Sequence, residues 1–336
     1  MIKDAIAKIA DRGDLSEKEA EGVMLEIMDG AATPAQIAAY LMGLRMKGET
    51  VGEIAGSARA MRARATRILA ADPLVVDTCG TGGDRANTFN ISTTAAFVVA
   101  GGGLTVAKHG NRSVSSRCGS ADVLVALGVR IDLPTARIEE CVNEVGIGFL
   151  FAPLFHGAMK HCAGPRQEMG VRTLLNVLGP LTNPAGATIQ VLGVYDEGLT
   201  ELLAKVLIHL GAHHCFVVHG MDGLDEVTLT DRTRVSEGKA GVVSSYFVDP
   251  RDFGLERVRL KDLAGGTAEE NAHVTRQILQ GLKGPKRDIV CMNAAPAFVA
   301  CGKAKTLAEG YALAWRTIDS GAASEKLERL IEFAKK

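Results

Sequence analysis

The chain reads as an α/β protein preceded by a separate small helical domain. Three observations predict this. Residues 1 to about 70 carry apolar side chains at helical spacing and almost no strand pattern. From Leu74 onward, short β-rich runs alternate with helix-like stretches, which argues for a large α/β domain over 71–336 with a mostly parallel central sheet. The length, 336 residues, gives a prior of roughly two domains.

The elements follow in order. Ile2, Ile6 and Ile9 share one helix face. Ser16 caps a second helix with Glu19 three residues later, and Gly30 ends it. Thr33-Pro34 opens a third, with Ile37, Tyr40, Leu41 and Leu44 as its apolar stripe. Gly48-Glu49-Thr50 breaks that helix, and Val51 to Leu69 reads as a fourth. Leu74 to Asp77 is the first strand, Thr93 to Val99 an apolar helix, and Leu104 to Ala107 the second strand. Ser120 caps a helix reaching Leu127, with Gly128 beyond its end. Phe149 to Phe151, Ile189 to Val194 and Cys215 to Val218 are strands, Leu199 to Leu210 a helix, and Val235 to Val243 a short β pair. The tail is helical over Ala268 to Leu282, Ala294 to Cys301 and Thr306 to Lys335.

Composition excludes several classes. Hydrophobic residues are 47% and charged residues 23%, as in ordinary globular proteins. A net charge of -1 offers no general attraction to nucleic acid or to a membrane, so any phosphate binding must come from local geometry. Aromatics, at 4%, are too few for a base-stacking platform. The seven cysteines are odd in number and none is in Cys-x-x-Cys spacing, which reads as free thiols in a reducing compartment. The amphipathic N-terminus with Asp4 is not a signal peptide, and no apolar run approaches the ~18 residues of a membrane span. A cytoplasmic protein is expected.

Chemistry concentrates at strand exits, where open α/β sheets bind ligands. Gly80, Gly82 and Gly83 follow the first strand and let backbone amides approach an anion. Asn90-Ile91-Ser92-Thr93 opens the next helix, whose free N–H groups and dipole favour phosphate. Taken alone, this stretch is equally compatible with a glycine turn and a capping serine. Lys108, His109, Gly110, Asn111 and Arg112, followed by Ser113, Val114, Ser115 and Ser116, place cations and hydroxyls after the second strand, which suits a group with several charged oxygens. Asp225-Glu226, after a third strand, suits a hard divalent cation such as magnesium, with a plain charged turn as the alternative. Arg166 offers a guanidinium fork for a substrate carboxylate, against the commoner role of a surface ion pair. His213-His214 reads as structural. No Gly-x-Ser-x-Gly elbow occurs, so covalent catalysis is not indicated.

The ordered set of Gly80-Thr81-Gly82-Gly83-Asp84, Asn90 to Thr93, Lys108 to Ser116, Gly119-Ser120-Ala121-Asp122, Arg172-Thr173 through Asn183-Pro184, and His219-Gly220 through Asp225-Glu226 resembles the anthranilate phosphoribosyltransferase family, essentially end to end. The resemblance implies a nucleoside phosphorylase/phosphoribosyltransferase-like fold, in which the helical domain also receives helices from about 166–180. It implies transfer of the phosphoribosyl group of 5-phosphoribosyl 1-pyrophosphate to anthranilate, with Mg2+, in a homodimer built on the N-terminal helices. Gly80, Gly83, Asp84, Thr88, Asn90, Ile91, Ser92, Thr93, Lys108 to Ser116 and Ser120 would bind the phosphoribosyl pyrophosphate, with Lys108 and His109 acting electrostatically. Ser92, Asp225 and Glu226 would hold magnesium. Gly80, Asn111 and Arg166 would contact anthranilate. Arg117-Cys118, Gly157 and Gln167 depart from the family pattern, and Gln167 removes a charge beside Arg166. The rivals are a pyrimidine nucleoside phosphorylase, which would read a nucleobase, and a non-catalytic nucleic-acid-binding relative, which the net charge and the intact acidic pair disfavour.

Overall fold

A computed structural model describes residues 1–84, 86–113 and 117–335. The N-terminal unit comprises α1 (Ile2–Ala10), α2 (Glu17–Met28), α3 (Pro34–Lys47) and α4 (Val51–Arg64). Ser16, Thr33 and Thr50 each cap a helix and pair with Glu19, Gln36 and Glu53 in reciprocal capping boxes. The fourth helix is shorter than its sequence pattern. It stops at Arg64 because the next residues bond elsewhere: Thr66 N–H donates to Phe155 C=O at 3.1 Å and Ile68 N–H to Pro184 C=O at 3.3 Å. Periodicity does not encode such distant backbone partners.

The remainder runs β1 (Val75–Gly80), α5 (Ile91–Gly101), β2 (Thr105–Gly110), α6 (Ser120–Ala126), α7 (Thr135–Val145), β3 (Ile147–Phe151), α8 (Ala152–Phe155), α9 (Lys160–Met169), α10 (Leu175–Leu178), β4 (Ile189–Gly193), α11 (Leu199–His209), β5 (His214–Gly220), β6 (Thr233–Lys239), β7 (Val242–Val248), α12 (Ala268–Leu279), α13 (Pro285–Ala300), α14 (Leu307–Asp319) and α15 (Ala322–Lys335). The sheet has the order β3-β2-β1-β4-β5-β6-β7. Its first five strands are parallel, and β6 and β7 add an antiparallel hairpin. α7, unforeseen in the sequence, buries Ile138, Cys141, Val142 and Val145 at helical spacing.

β1 and β2 extend three residues beyond the strands expected from the sequence, Leu74 to Asp77 and Leu104 to Ala107. β1 and β2 pair with each other only at Val75–Thr105 and Val76–Val106; beyond that, Thr78 to Gly80 run on along β4 and Lys108 to Gly110 along β3, and the His109 N–H donates to the Asp77 carboxylate at 3.1 Å. Alternation along the strands then divides the side chains between faces. Val76, Val106, Val191 and Val218 join a core with α5, α13 and α15. Cys79, Leu192 and Val217 face the opposite core, which contains the N-terminal helices, α11, and Leu174, Leu175 and Leu178 from the α10 region. α9 packs on α2 and α3. Among the described residues, no helix is long and apolar enough to cross a membrane.

Candidate active site

β1 is the first strand of the sheet, and the chain leaves it toward β2 on one side before returning to β4 on the other. The carboxyl ends of β1 and β4 therefore form a topological switch point, the place where open sheets bind ligands. Gly80 and Gly193 end these strands side by side. The loop after β5 folds over them. A Cβ on Gly193 would overlap the Asp225 carbonyl, and one on Gly80 would lie 2.5 Å from the Asp225 carboxylate. Both glycines are needed so that the acidic loop can close on the strand ends. Gly193 carried no signal in the sequence, where it lies inside the run Ile189 to Val194.

The acidic loop is anchored from behind. Asn293 of α13 is buried, accepts the Val227 N–H at 2.8 Å and donates to Val227 C=O at 2.9 Å. Asp222 accepts the hydroxyls of Thr228 and Thr230. Asp225 then accepts the Gly82 N–H at 2.8 Å, so the glycine loop is held by a carboxylate of the protein. Glu226 accepts the Ser92 N–H at 3.0 Å, at the N-terminus of α5, where the helix dipole favours negative charge. Burial, reinforced by mutual repulsion with its neighbour, raises the pKa of Asp225 beside Asp84 and of Glu226 beside Asp225; burial also raises that of Asp84. Three crowded carboxylates with unfavourable charge are the chemistry a divalent cation relieves. Among the described residues, no three acidic, histidine or cysteine side chains form a complete ligand set.

Lys108 and His109 do not follow the second strand as their position in the sequence suggests. They lie inside β2 rather than in a loop after it, and successive strand residues point to opposite faces. The Lys108 ammonium is buried against the Thr78 carbonyl, near Asp77 and Glu226, whose pKa values it lowers against the effect of burial. The His109 ring sits on the other face, with Nδ1 3.1 Å from Gly179 C=O and its centroid 5.1 Å from that of His156. It belongs to the packing of the 179–183 segment. That segment is tied to the sheet by Asn183, which donates to the buried Asp77 carboxylate and to Ala107 C=O, both at 2.8 Å.

The second loop is arranged around Asp122. Its carboxylate accepts from the Arg112 guanidinium at 2.8 Å, the Ser113 N–H at 3.1 Å and the Gly119 N–H at 2.9 Å. Ser120 donates to Asn111 C=O at 3.2 Å, and the Asn111 side chain accepts the Arg112 N–H at 2.7 Å. Val114, Ser115 and Ser116 lie outside the described residues. Thr88 pairs with Ala264 in an isolated bridge, while Ile91 and Thr93 are buried in the first turn of α5. Arg166 is exposed on the last turn of α9. The guanidinium that reaches the glycine loop is that of Arg172. It donates to Gly83 C=O and stacks on Tyr195, with 4.0 Å to the ring centroid.

This chain matches the glycosyl transferase family a/b domain over residues 72–324 and the family's helical bundle domain over residues 3–65. It is 59% identical over 336 residues to the anthranilate phosphoribosyltransferase of Desulfosudis oleivorans, covering 100% of this chain and 99% of that one. The chain belongs to the anthranilate phosphoribosyltransferase family. The Moorella thermoacetica anthranilate phosphoribosyltransferase is 57% identical, with 98% of both chains covered. The crystal structure of the Thermus thermophilus anthranilate phosphoribosyltransferase superposes with a TM-score of 0.94 at 45% identity, over 99% of this chain and 100% of that one. The Saccharomyces cerevisiae anthranilate phosphoribosyltransferase in complex with PRPP and Mg superposes with a TM-score of 0.89 at 29% identity, over 99% and 98% of the two chains. The same enzyme has also been solved in complex with 4-fluoroanthranilate. The mostly parallel sheet with its helical N-terminal domain is thus the fold of the anthranilate phosphoribosyltransferase family.

Proposed function

We infer that this chain transfers the phosphoribosyl group of 5-phosphoribosyl 1-pyrophosphate to the amine of anthranilate, releasing pyrophosphate. The observation that carries the reading is the meeting of Asp225 and Glu226 with the glycine loop and the α5 N-terminus at the β1/β4 switch point. Magnesium held by Asp225, Glu226 and Ser92, with Asp84 alongside, would supply positive charge to the pyrophosphate oxygens. The amides opening α5 and the Asn111–Ser113 loop offer donors to the phosphates of the same substrate. Gly80 and Asn111 lie between the two substrates, and Arg166 takes the anthranilate carboxylate.

The reaction breaks the C1–O bond with oxocarbenium character while negative charge grows on the leaving group. Fixed charges and alignment are what such a step requires. Lys108 contributes from below: its buried charge favours the ionised form of Glu226. The aromatic amine is largely unprotonated at neutral pH, so no strong base is required, and the substrate's own carboxylate takes up the released proton. The protein acts as a homodimer through its N-terminal helices.

The test is anthranilate fluorescence followed after addition of phosphoribosyl pyrophosphate and magnesium. Loss of fluorescence with stoichiometric pyrophosphate is expected. Unchanged fluorescence, with phosphorolysis of thymidine instead, would establish the nucleoside phosphorylase alternative.

A further inference from the structure

Asn90 sits between the two substrate loops, and its side chain is held by a residue with no part in either. Its Nδ2 donates to Cys118 C=O at 3.2 Å, which ties the start of α5 to the end of the second loop. Its Oδ1 accepts from Cys118 Sγ at 3.3 Å and from Asn271 Nδ2 at 3.0 Å. Asn271 lies 181 residues further along the chain, in the first turn of α12, and is only 1% exposed. Its own Oδ1 accepts the Gly266 N–H at 2.8 Å. Each amide in this chain therefore uses oxygen as acceptor and nitrogen as donor, and the orientation of one dictates that of the next.

The segment before α12 is itself stitched to residues 87–90. Gly265 N–H donates to Asn87 C=O at 2.9 Å, Phe89 N–H donates to Leu263 C=O at 3.3 Å, and Thr88 and Ala264 form a bridge. One turn along, Thr275 and Thr94 share a hydroxyl hydrogen bond of 3.0 Å. α12 thus meets α5 at two polar contacts. One holds the Asn90 side chain; the other reaches Thr94, whose hydroxyl donates to the Asn90 backbone carbonyl at 2.9 Å within the helix and leaves the Asn90 side chain untouched.

We propose that Asn271 is a positioning residue for the phosphoribosyl pyrophosphate end of the site, acting through Asn90 to keep the start of α5 and the second loop in register. The inference rests on the reading that Asn90 and its neighbours bind that substrate. A buried amide is suited to this task because it has a single satisfied orientation and no charge to compete with the ligand's phosphates.

The experiment compares Asn271→Asp, Asn271→Ser and Thr275→Val with the parent enzyme, measuring both KM values, kcat and thermal midpoint. Asn271→Asp keeps the acceptor for Gly266 and loses the donor to Asn90; Asn271→Ser is the milder change, should the first fold poorly. For both Asn271 variants, the KM for phosphoribosyl pyrophosphate should rise roughly tenfold, the equivalent of one lost hydrogen bond, while the anthranilate KM stays put. Thr275→Val should lower the thermal midpoint and leave both KM values unchanged. Parent-like KM values in the folded Asn271 variants would overturn the proposal, as would Thr275→Val reproducing their effect. A parent enzyme that does not consume phosphoribosyl pyrophosphate would instead defeat the functional reading beneath it.

Discussion

The Asp225 carboxylate occupies the position toward which a side chain on Gly80 would project, and from there it takes the Gly82 N–H at 2.8 Å. The glycine loop and the acidic loop, far apart in the chain, are thereby one unit. Gly80→Ala should push Asp225 away from its neighbours without disturbing the core. We expect kcat/KM to fall on the order of 10²-fold, the usual cost of a misplaced catalytic group, with the thermal midpoint near that of the parent. Parent-like kinetics would show that the carboxylate position is not critical. Gly193→Ala differs in kind, because its Cβ meets backbone. It should cost about 1–3 kcal/mol or more in denaturant unfolding, as overpacked sites do.

Neutralising the acidic pair separates binding from stability. Asp225→Asn with Glu226→Gln should abolish magnesium-dependent turnover in the coupled pyrophosphate assay. The same variant should melt higher than the metal-free parent near pH 8. Raised pKa values mean that the ionised forms oppose folding, and the substitutions remove that opposition. Unchanged magnesium dependence would place the metal elsewhere.

Two arginines should give different kinetic signatures. Arg166→Ala should raise the anthranilate KM by roughly 10–100-fold, the worth of a charge-assisted hydrogen bond, and spare that of the co-substrate. Arg172→Ala releases Gly83 and Tyr195 together, so it should raise the KM for phosphoribosyl pyrophosphate. Arg172→Lys should not rescue it, because the ammonium cannot both stack and donate as the planar fork does. Equal effects of Arg166→Ala on both substrates would remove its carboxylate role.

The paired imidazoles set a pH dependence. Burial lowers His109 to about 3 and His156 to about 4, from an ordinary 6.5. Both are therefore neutral in the folded protein, and unfolding releases sites that take up protons below the ordinary value. Their contribution to stability is complete above about pH 6.5 and is lost as pH falls toward the folded values. His156→Phe should flatten the decline in thermal midpoint between about pH 7 and about pH 5. An unchanged slope would assign the acid lability to other groups.

Much of this protein is local and so was legible from the chain. Helix starts at Ser16, Thr33 and Thr50 depend on residues three positions apart, and their capping boxes form as the spacing predicts. The glycine, hydroxyl and acidic motifs marked strand exits for the same reason: the residue types that suit a ligand lie consecutively. The end of α4 was not legible, because Thr66 and Ile68 bond to residues 155 and 184. Nor was the split between Lys108 and His109. They are adjacent in the chain, and only the extension of β2 into the sheet sends them to opposite faces.

Fold class and the positions of the acidic, glycine-rich and hydroxyl-rich segments follow from short-range periodicity and spacing, and the family from the resemblance that their ordered motifs carry. Which groups meet is set by long-range packing: Gly193 beneath Asp225, Arg172 on the glycine loop, and Asn271 on Asn90. These contacts join residues far apart in the chain. They arise from strand order and helix packing, and no local pattern of side chains records them.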